Sequence, residues 1–256
     1  MPANNDSELG EMKDVPPPEG SWAVLMKFGQ RAHLNEFRSE GLLYMKPQRH
    51  FAEIEKDAVR LDPLEGTDRI YSPSDIQRLV IAGPVDEAGT IQEVVITQAD
   101  LAGPLSLTLT TTHRYNLFCM YGLAAPLTPP SIDERNFGFG DAFILIRNTQ
   151  AFLDRACAAI AAAGFNCKYR FVSYYDPATH SGETGVFRKP DAFVYQKEFR
   201  IAVWPGMIEP LQIRLGDLSD ITSPVLNLAE INQTVDFGES SAREAGLLLP
   251  HGSPVA

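Results

Sequence analysis

Residues 193–203 read Phe-Val-Tyr-Gln-Lys-Glu-Phe-Arg-Ile-Ala-Val, so charged groups stand directly before an apolar run and just after a stretch rich in Gly, Thr, Ser and Pro. A rigid strand end fixes a reactive group while an adjoining loop closes over a ligand and excludes water. Glu198 is therefore the first candidate for a functional carboxylate, with Gln196 and Arg200 flanking it. The competing reading makes Glu198 an exposed strand residue paired with Lys197, Arg200 or another base. An exposed pair of that kind is worth about 0–1 kcal/mol. A second candidate cluster, Arg60, Asp62 and Glu65, sits in the charge-dense loop 60–66. Its alternative is a solvated turn in which Asp62 bonds its own backbone and Pro63 fixes the chain. A third arrangement pairs Asp62 with Arg200 across the structure.

Asp62-Pro63-Leu64-Glu65, the apolar Tyr115-Asn116-Leu117-Phe118-Cys119 and Gln196-Lys197-Glu198-Phe199-Arg200 together resemble an uncharacterised bacterial and phage domain family with D-P-x-E early and E-K-E-W-R late. The resemblance spans residues 25–203. Leu61 stands where that family has Asn, and Gln196 and Phe199 replace Glu and Trp. More distantly, Gln196-x-Glu198 is similar to the Q-x-E of the ADP-ribosyltransferase superfamily. That resemblance implies NAD as substrate, a catalytic Glu198 that stabilises positive charge developing on the nicotinamide ribose, and Gln196 in contact with substrate. One preorganised carboxylate in a dry site is a sound means of stabilising such charge. Lys27, Tyr44 and Tyr115 are the further residues expected to hold the nucleotide, Lys27 standing where the superfamily has Arg or His. The alternative is a non-catalytic interaction or nucleotide-sensing module of a phage or bacterial defence system, with a protein partner.

Other chemistries find little footing. The five histidines have no metal-ligand spacing, so no metal is expected. Glu53-Ile54-Glu55-Lys56 reads as a helix face rather than the strand pair of a metal nuclease. Gly138-Phe139-Gly140-Asp141 lacks a third glycine and precedes a strand, the reverse of the dinucleotide fingerprint. There is no phosphate-binding P-loop and no G-x-S-x-G.

The elements that must position these residues follow from pattern. Residues 21–28 suit a buried first strand closed by Gly29. Leu34 and Phe37 fall on one face of a helix over 30–40, with Gly41 as its left-handed cap. A strand over 42–45 and a short helix over 50–59 follow. Strands are expected at 91–97, 105–112, 115–121, 142–147, 165–175, 199–203 and 210–215. Between 147 and 165, Phe152, Ala156, Ala159, Ile160 and Ala163 share a face, capped by Asn148 or Thr149 and stopped by Gly164. The stretch 176–190 reads as a mobile loop. The fold expected is α+β: a central mixed or antiparallel sheet with a few flanking helices, split into two halves if it follows the transferases.

With 256 residues, 44% hydrophobic, the chain can close one core. The expected organisation is an N-terminal tail over 1–20 containing Pro16-Pro17-Pro18, one domain over 21–235, and a flexible tail over 236–256. A net charge of -11 with scattered Lys and Arg opposes an extended nucleic-acid surface. A local basic pocket for one nucleotide remains compatible with it. Cys119, Cys157 and Cys167 form no C-x-x-C pair, so neither a disulfide framework nor a zinc site is signalled. The polar, acidic N-terminus lacks the pattern of a signal peptide. No run is apolar enough to span a bilayer. A cytoplasmic protein without membrane contact is expected.

Overall fold

Seven residues, Ala23–Gly29, with Val24, Leu25, Met26 and Phe28 buried, form strand β1 in the computed structural model, which describes residues 23–54, 57, 59–85, 89, 91–108, 115–124 and 131–234. The expected tails, with Glu55, Lys56, His113 and His251, lie outside the described residues. Helix α1 (Arg31–Glu40) turns into β2 (Leu42–Pro47) through Gly41, whose φ of 64° is the left-handed cap expected from sequence. Leu34 and Phe37 are its buried face. The second helix, α2, covers only His50–Glu53. The expected continuation to residue 59 fails because the chain turns back: Leu61 N–H donates to Asp57 O and Asp62 N–H to Phe51 O.

Strands β3 (Arg69–Tyr71), β4 (Leu79–Val85), β5 (Ile91–Ile96) and β6 (Leu105–Leu107) follow, then the long β7 (Asn116–Ala124), β8 (Ala142–Ile146) and helix α3 (Thr149–Ala162). Asn148 caps α3, its side chain accepting from Ala151 N–H at 3.0 Å, and Phe152, Leu153, Ala156 and Ile160 are buried. The expected strand 165–175 is two, β9 (Asn166–Phe171) and β10 (Ser173–Tyr175), because β10 leaves the main sheet to pair in parallel with β12 (Arg188–Pro190). Between them lies β11 (Gly182–Glu183), and β13 (Glu198–Trp204), β14 (Leu211–Arg214), β15 (Leu226–Asn227) and α4 (Ile231–Thr234) complete the chain. Strand β4 was not legible in the sequence, Gly83 and Pro84 masking its pattern.

The fold is α+β, with a main sheet ordered β14-β2-β7-β1-β8-β15, β13 attached to β7 and β9 to the far edge of β13. Every pairing in this sheet is antiparallel. The sheet forks at β7. Strand β1 pairs with its end, Met26 against Tyr121, and then diverges to stay with β8 as far as Gly29 against Ala142. The start of β7 pairs instead with β2, Lys46 against Leu117, and its other edge carries β13. Residues Phe118 to Met120 therefore have no strand partner on the β1 side among the described residues, and a cleft opens where the strands part. Helices α1 and α3 close one face over Leu25, Met45, Phe118, Ile144 and Ile201, while Tyr121, Phe143 and Leu228 form a second apolar cluster.

Candidate functional site

Strand β13 follows Lys197, whose φ of 39° turns the chain sharply out of the short helical segment Asp191–Gln196. Glu198 opens the strand and is buried, with Arg200 two residues on and therefore on the same face. Arg200 is 1% exposed. Its Nε donates to Glu198 Oε1 at 2.7 Å, Nη1 and Nη2 grip Glu65 at 3.0 and 2.6 Å, and Nη1 also reaches Val186 O at 2.5 Å. Lys189 Nζ donates to Glu198 Oε2 at 3.2 Å and to Gln196 Oε1 at 2.7 Å. Gln48 Nε2 binds Glu65 Oε1 at 2.7 Å, and Gln196 Nε2 binds Val59 O at 2.8 Å. Two buried anions and two buried cations thus alternate in one network joining the loop 60–66, the strap 184–190 and β13.

Glu198 is neither exposed nor partnered by Lys197, and its partners are Arg200 and Lys189. Burial alone would raise its pKa, but Arg200 and then Lys189 outweigh burial and hold it well below the usual carboxylate range. The charged form of the carboxylate is thus the favoured one, with both oxygens engaged.

The loop 60–66 is likewise not a solvated turn. Asp62 Oδ1 does accept its own backbone, from Leu64 N–H at 3.0 Å, but the residue is 1% exposed. Glu65, not Asp62, is the carboxylate that pairs with Arg200. Asp62 Oδ2 has no hydrogen-bond partner among the described residues. Burial, reinforced by neighbouring Glu65, raises its pKa to about 6. An acid whose pKa is raised in the native state binds its proton more tightly there than in the unfolded chain. Its contribution to stability is therefore fully present below the unfolded value of about 4 and is lost as pH rises through 6. Asp62→Asn, which keeps the shape and the Leu64 contact, is expected to be about 1–3 kcal/mol more stable than the parent at pH 7.5. That gain should vanish near pH 4, as urea unfolding at the two pH values would show.

In front of this network lies the cleft at the fork, about 860 Å3, within the range of small-molecule sites. Of the residues singled out from sequence, Lys27, Tyr44, Arg60, Gln196, Glu198 and Arg200 line it. Asp62 and Glu65 are not part of its wall and stand behind it, while Tyr115 packs edge-on against Trp204 with ring centroids 6.2 Å apart and contributes no wall. Lysine 189 was missed because the composition of 176–190 reads as a mobile loop, whereas the chain there is ordered strap: Ser173 N–H donates to Phe187 O, Thr184 N–H to Asp68 O, and Lys189 is 5% exposed. Gln48, His33 and His50 were missed too, with no local signal to mark them.

The cleft's charges do not balance. Arg60 is taken by Asp57 and by Phe139 O at 2.9 Å, Lys189 and Arg200 by Glu198, and Glu36 lies 3.6 Å from Arg214. Lys46 rests over the Tyr44 ring, 5.6 Å from its centroid. Lys27 Nζ donates to Cys119 O at 2.6 Å and sits 4.8 Å from the Phe118 ring centroid, with no carboxylate paired to it among the described residues. Burial lowers the Lys27 pKa, and nearby Arg60 adds to the effect. Phe28, Phe37, Phe51 and Phe139 supply flat apolar walls. Such a pocket suits a planar ring carrying negative charge. No helix among the described residues is long and apolar enough to cross a membrane. No family model, curated protein or solved structure matches this chain.

Proposed function

We propose that the fork cleft binds a small anionic, ring-bearing molecule of the nucleotide class, and that the protein is a nucleotide-sensing module. The observation that carries this reading is Lys27: an ammonium held between a carbonyl and an aromatic face, in a pocket whose other buried cations are already paired. An unpaired cation in a partly dry site is costly until an anion joins it. A phosphate at Lys27, with a base against the phenylalanine walls, would relieve that cost.

A second reading makes the same cleft an NAD-using glycohydrolase or transferase with Glu198 beside the ribose. It is favoured by Glu198, Gln196, Lys27 and Tyr44 lining one cavity. Against it, Arg200 and Lys189 neutralise Glu198, and both ends of the Gln196 amide are bound by protein, which leaves Gln196 without a free group for substrate.

Calorimetry with NAD, AMP and nicotinamide mononucleotide separates the two when nicotinamide release is followed in parallel. Binding without release is the expected result, with Lys27→Met weakening it at least tenfold, about 1.4 kcal/mol. Nicotinamide release that Glu198→Gln abolishes would establish the enzymatic reading instead. Failure of all three nucleotides to bind would overturn both.

A further inference from the structure

Cys157 on α3 and Cys167 on β9 have their sulfurs 3.3 Å apart, the Cys167 thiol donating to the Cys157 sulfur. Both side chains are half-buried, so a small solute can reach them. Neither sits on a loose segment. Cys157 follows the buried Ala156 in the fourteen-residue helix, and Cys167 is in register with Val203 of β13. The turn between them is fixed by Gly164 at φ 85° and by Phe165 N–H donating to Ile160 O at 3.1 Å. A disulfide requires sulfurs about 2.0 Å apart, and a pair already in hydrogen-bond contact has little distance left to close.

We propose that Cys157 and Cys167 are an oxidation site, a dithiol that hydroperoxides convert to a disulfide clamping α3 to the sheet edge. Cys157 is the attacking sulfur, because the hydrogen bond from Cys167 favours its thiolate. It attacks a peroxide oxygen, the O–O bond breaks, and the departing oxygen leaves as water after taking up the thiol proton. Cys157 is then a sulfenic acid. The Cys167 sulfur attacks that of Cys157, the S–O bond breaks, and the hydroxyl leaves with the Cys167 proton as a second water. Two thiols and one hydrogen peroxide give one disulfide and two waters, the sulfurs losing two electrons and the peroxide gaining them. Cys119 takes no part: no second thiol stands beside it among the described residues, and desolvation together with the neighbouring Glu198 charge raises its pKa strongly.

The test uses the full chain with one equivalent of hydrogen peroxide, followed by alkylation after unfolding and mass spectrometry. The expected product is lighter by two hydrogens, carries a peptide linking Cys157 to Cys167, and is alkylated only at Cys119. Closing this short loop is expected to raise Tm by about 5–10 °C, reversed by a dithiol reductant. Cys167→Ser should trap Cys157 as a sulfenic acid detectable with dimedone, and should show no such rise. Both cysteines remaining open to alkylation, or each oxidising separately without a link, would overturn the proposal. The parent protein alone decides this, whatever the folding of the variant.

Discussion

Arg200→Ala is expected to lower the free energy of unfolding by about 3–5 kcal/mol, the cost of leaving buried charges without their partner. A guanidinium has five N–H donors, and those of Arg200 are distributed over both oxygens of Glu65, both oxygens of Glu198 and the Val186 carbonyl. Alanine leaves two buried carboxylates without the guanidinium between them, Lys189 remaining on Glu198 and Gln48 on Glu65. Arg200→Lys keeps the charge but not the fork, so it should recover only part of the loss. The combined variant Glu65→Gln, Arg200→Met, Glu198→Gln removes the charges together and should be much closer to the parent than Arg200→Ala. Chemical denaturation of the three proteins measures the difference. A loss below about 1 kcal/mol for Arg200→Ala would mean that the pairs behave like exposed ones. The same substitution frees the strap at Val186, so amide exchange should quicken over 184–190 before it does so in β7.

The pattern of what was legible from sequence follows from the range of the interactions. Helices α1 and α3 and the Gly41 cap depend on residues three or four apart, and the spacing of Leu34, Phe37, Phe152, Ala156 and Ile160 announces them. Glu198 was legible as the opening of an apolar strand. Its partners were not: Glu65 lies 135 residues from Arg200, and Lys189 sits in a stretch whose Gly, Thr and Pro content describes turns rather than order. Asp62 and Glu65 were visible as a pair, but nothing local tells which of them reaches Arg200. The strand β7 was predicted and its forking was not, because a fork is a property of the three strands that compete for its edges. Tyr115, expected at the cleft, instead turns its ring to Trp204, which lies far from it in sequence.

Gly140 gives the second large effect, for a reason unrelated to the dinucleotide fingerprint that its neighbourhood fails to match. A Cβ at Gly140 would stand 2.2 Å from the carbonyl carbon of Gly29, 2.3 Å from its oxygen and 2.7 Å from its Cα. The backbone there is extended, so the demand is for close approach and not for a left-handed conformation. Every atom in the way is backbone, of the strand end that pairs with Ala142 and forms the rim of the cleft. No rotamer change can relieve the clash, and either β1 or the segment carrying Asn136 and Phe139 must move. Gly140→Ala is expected to cost at least about 1–3 kcal/mol by overpacking and, since those segments wall the cleft, to weaken nucleotide binding as well. Gly138→Ala is the control two residues away. Its Cβ would lie 2.5 Å from a Val59 methyl, a side-chain atom rather than backbone, so a smaller cost than that of Gly140→Ala is expected. Thermal unfolding and calorimetry on both variants read the two effects separately. Equal losses in the two would mean that the rim yields as readily as a side chain, and the contact between Gly29 and Gly140 would then not be what holds the cleft's shape.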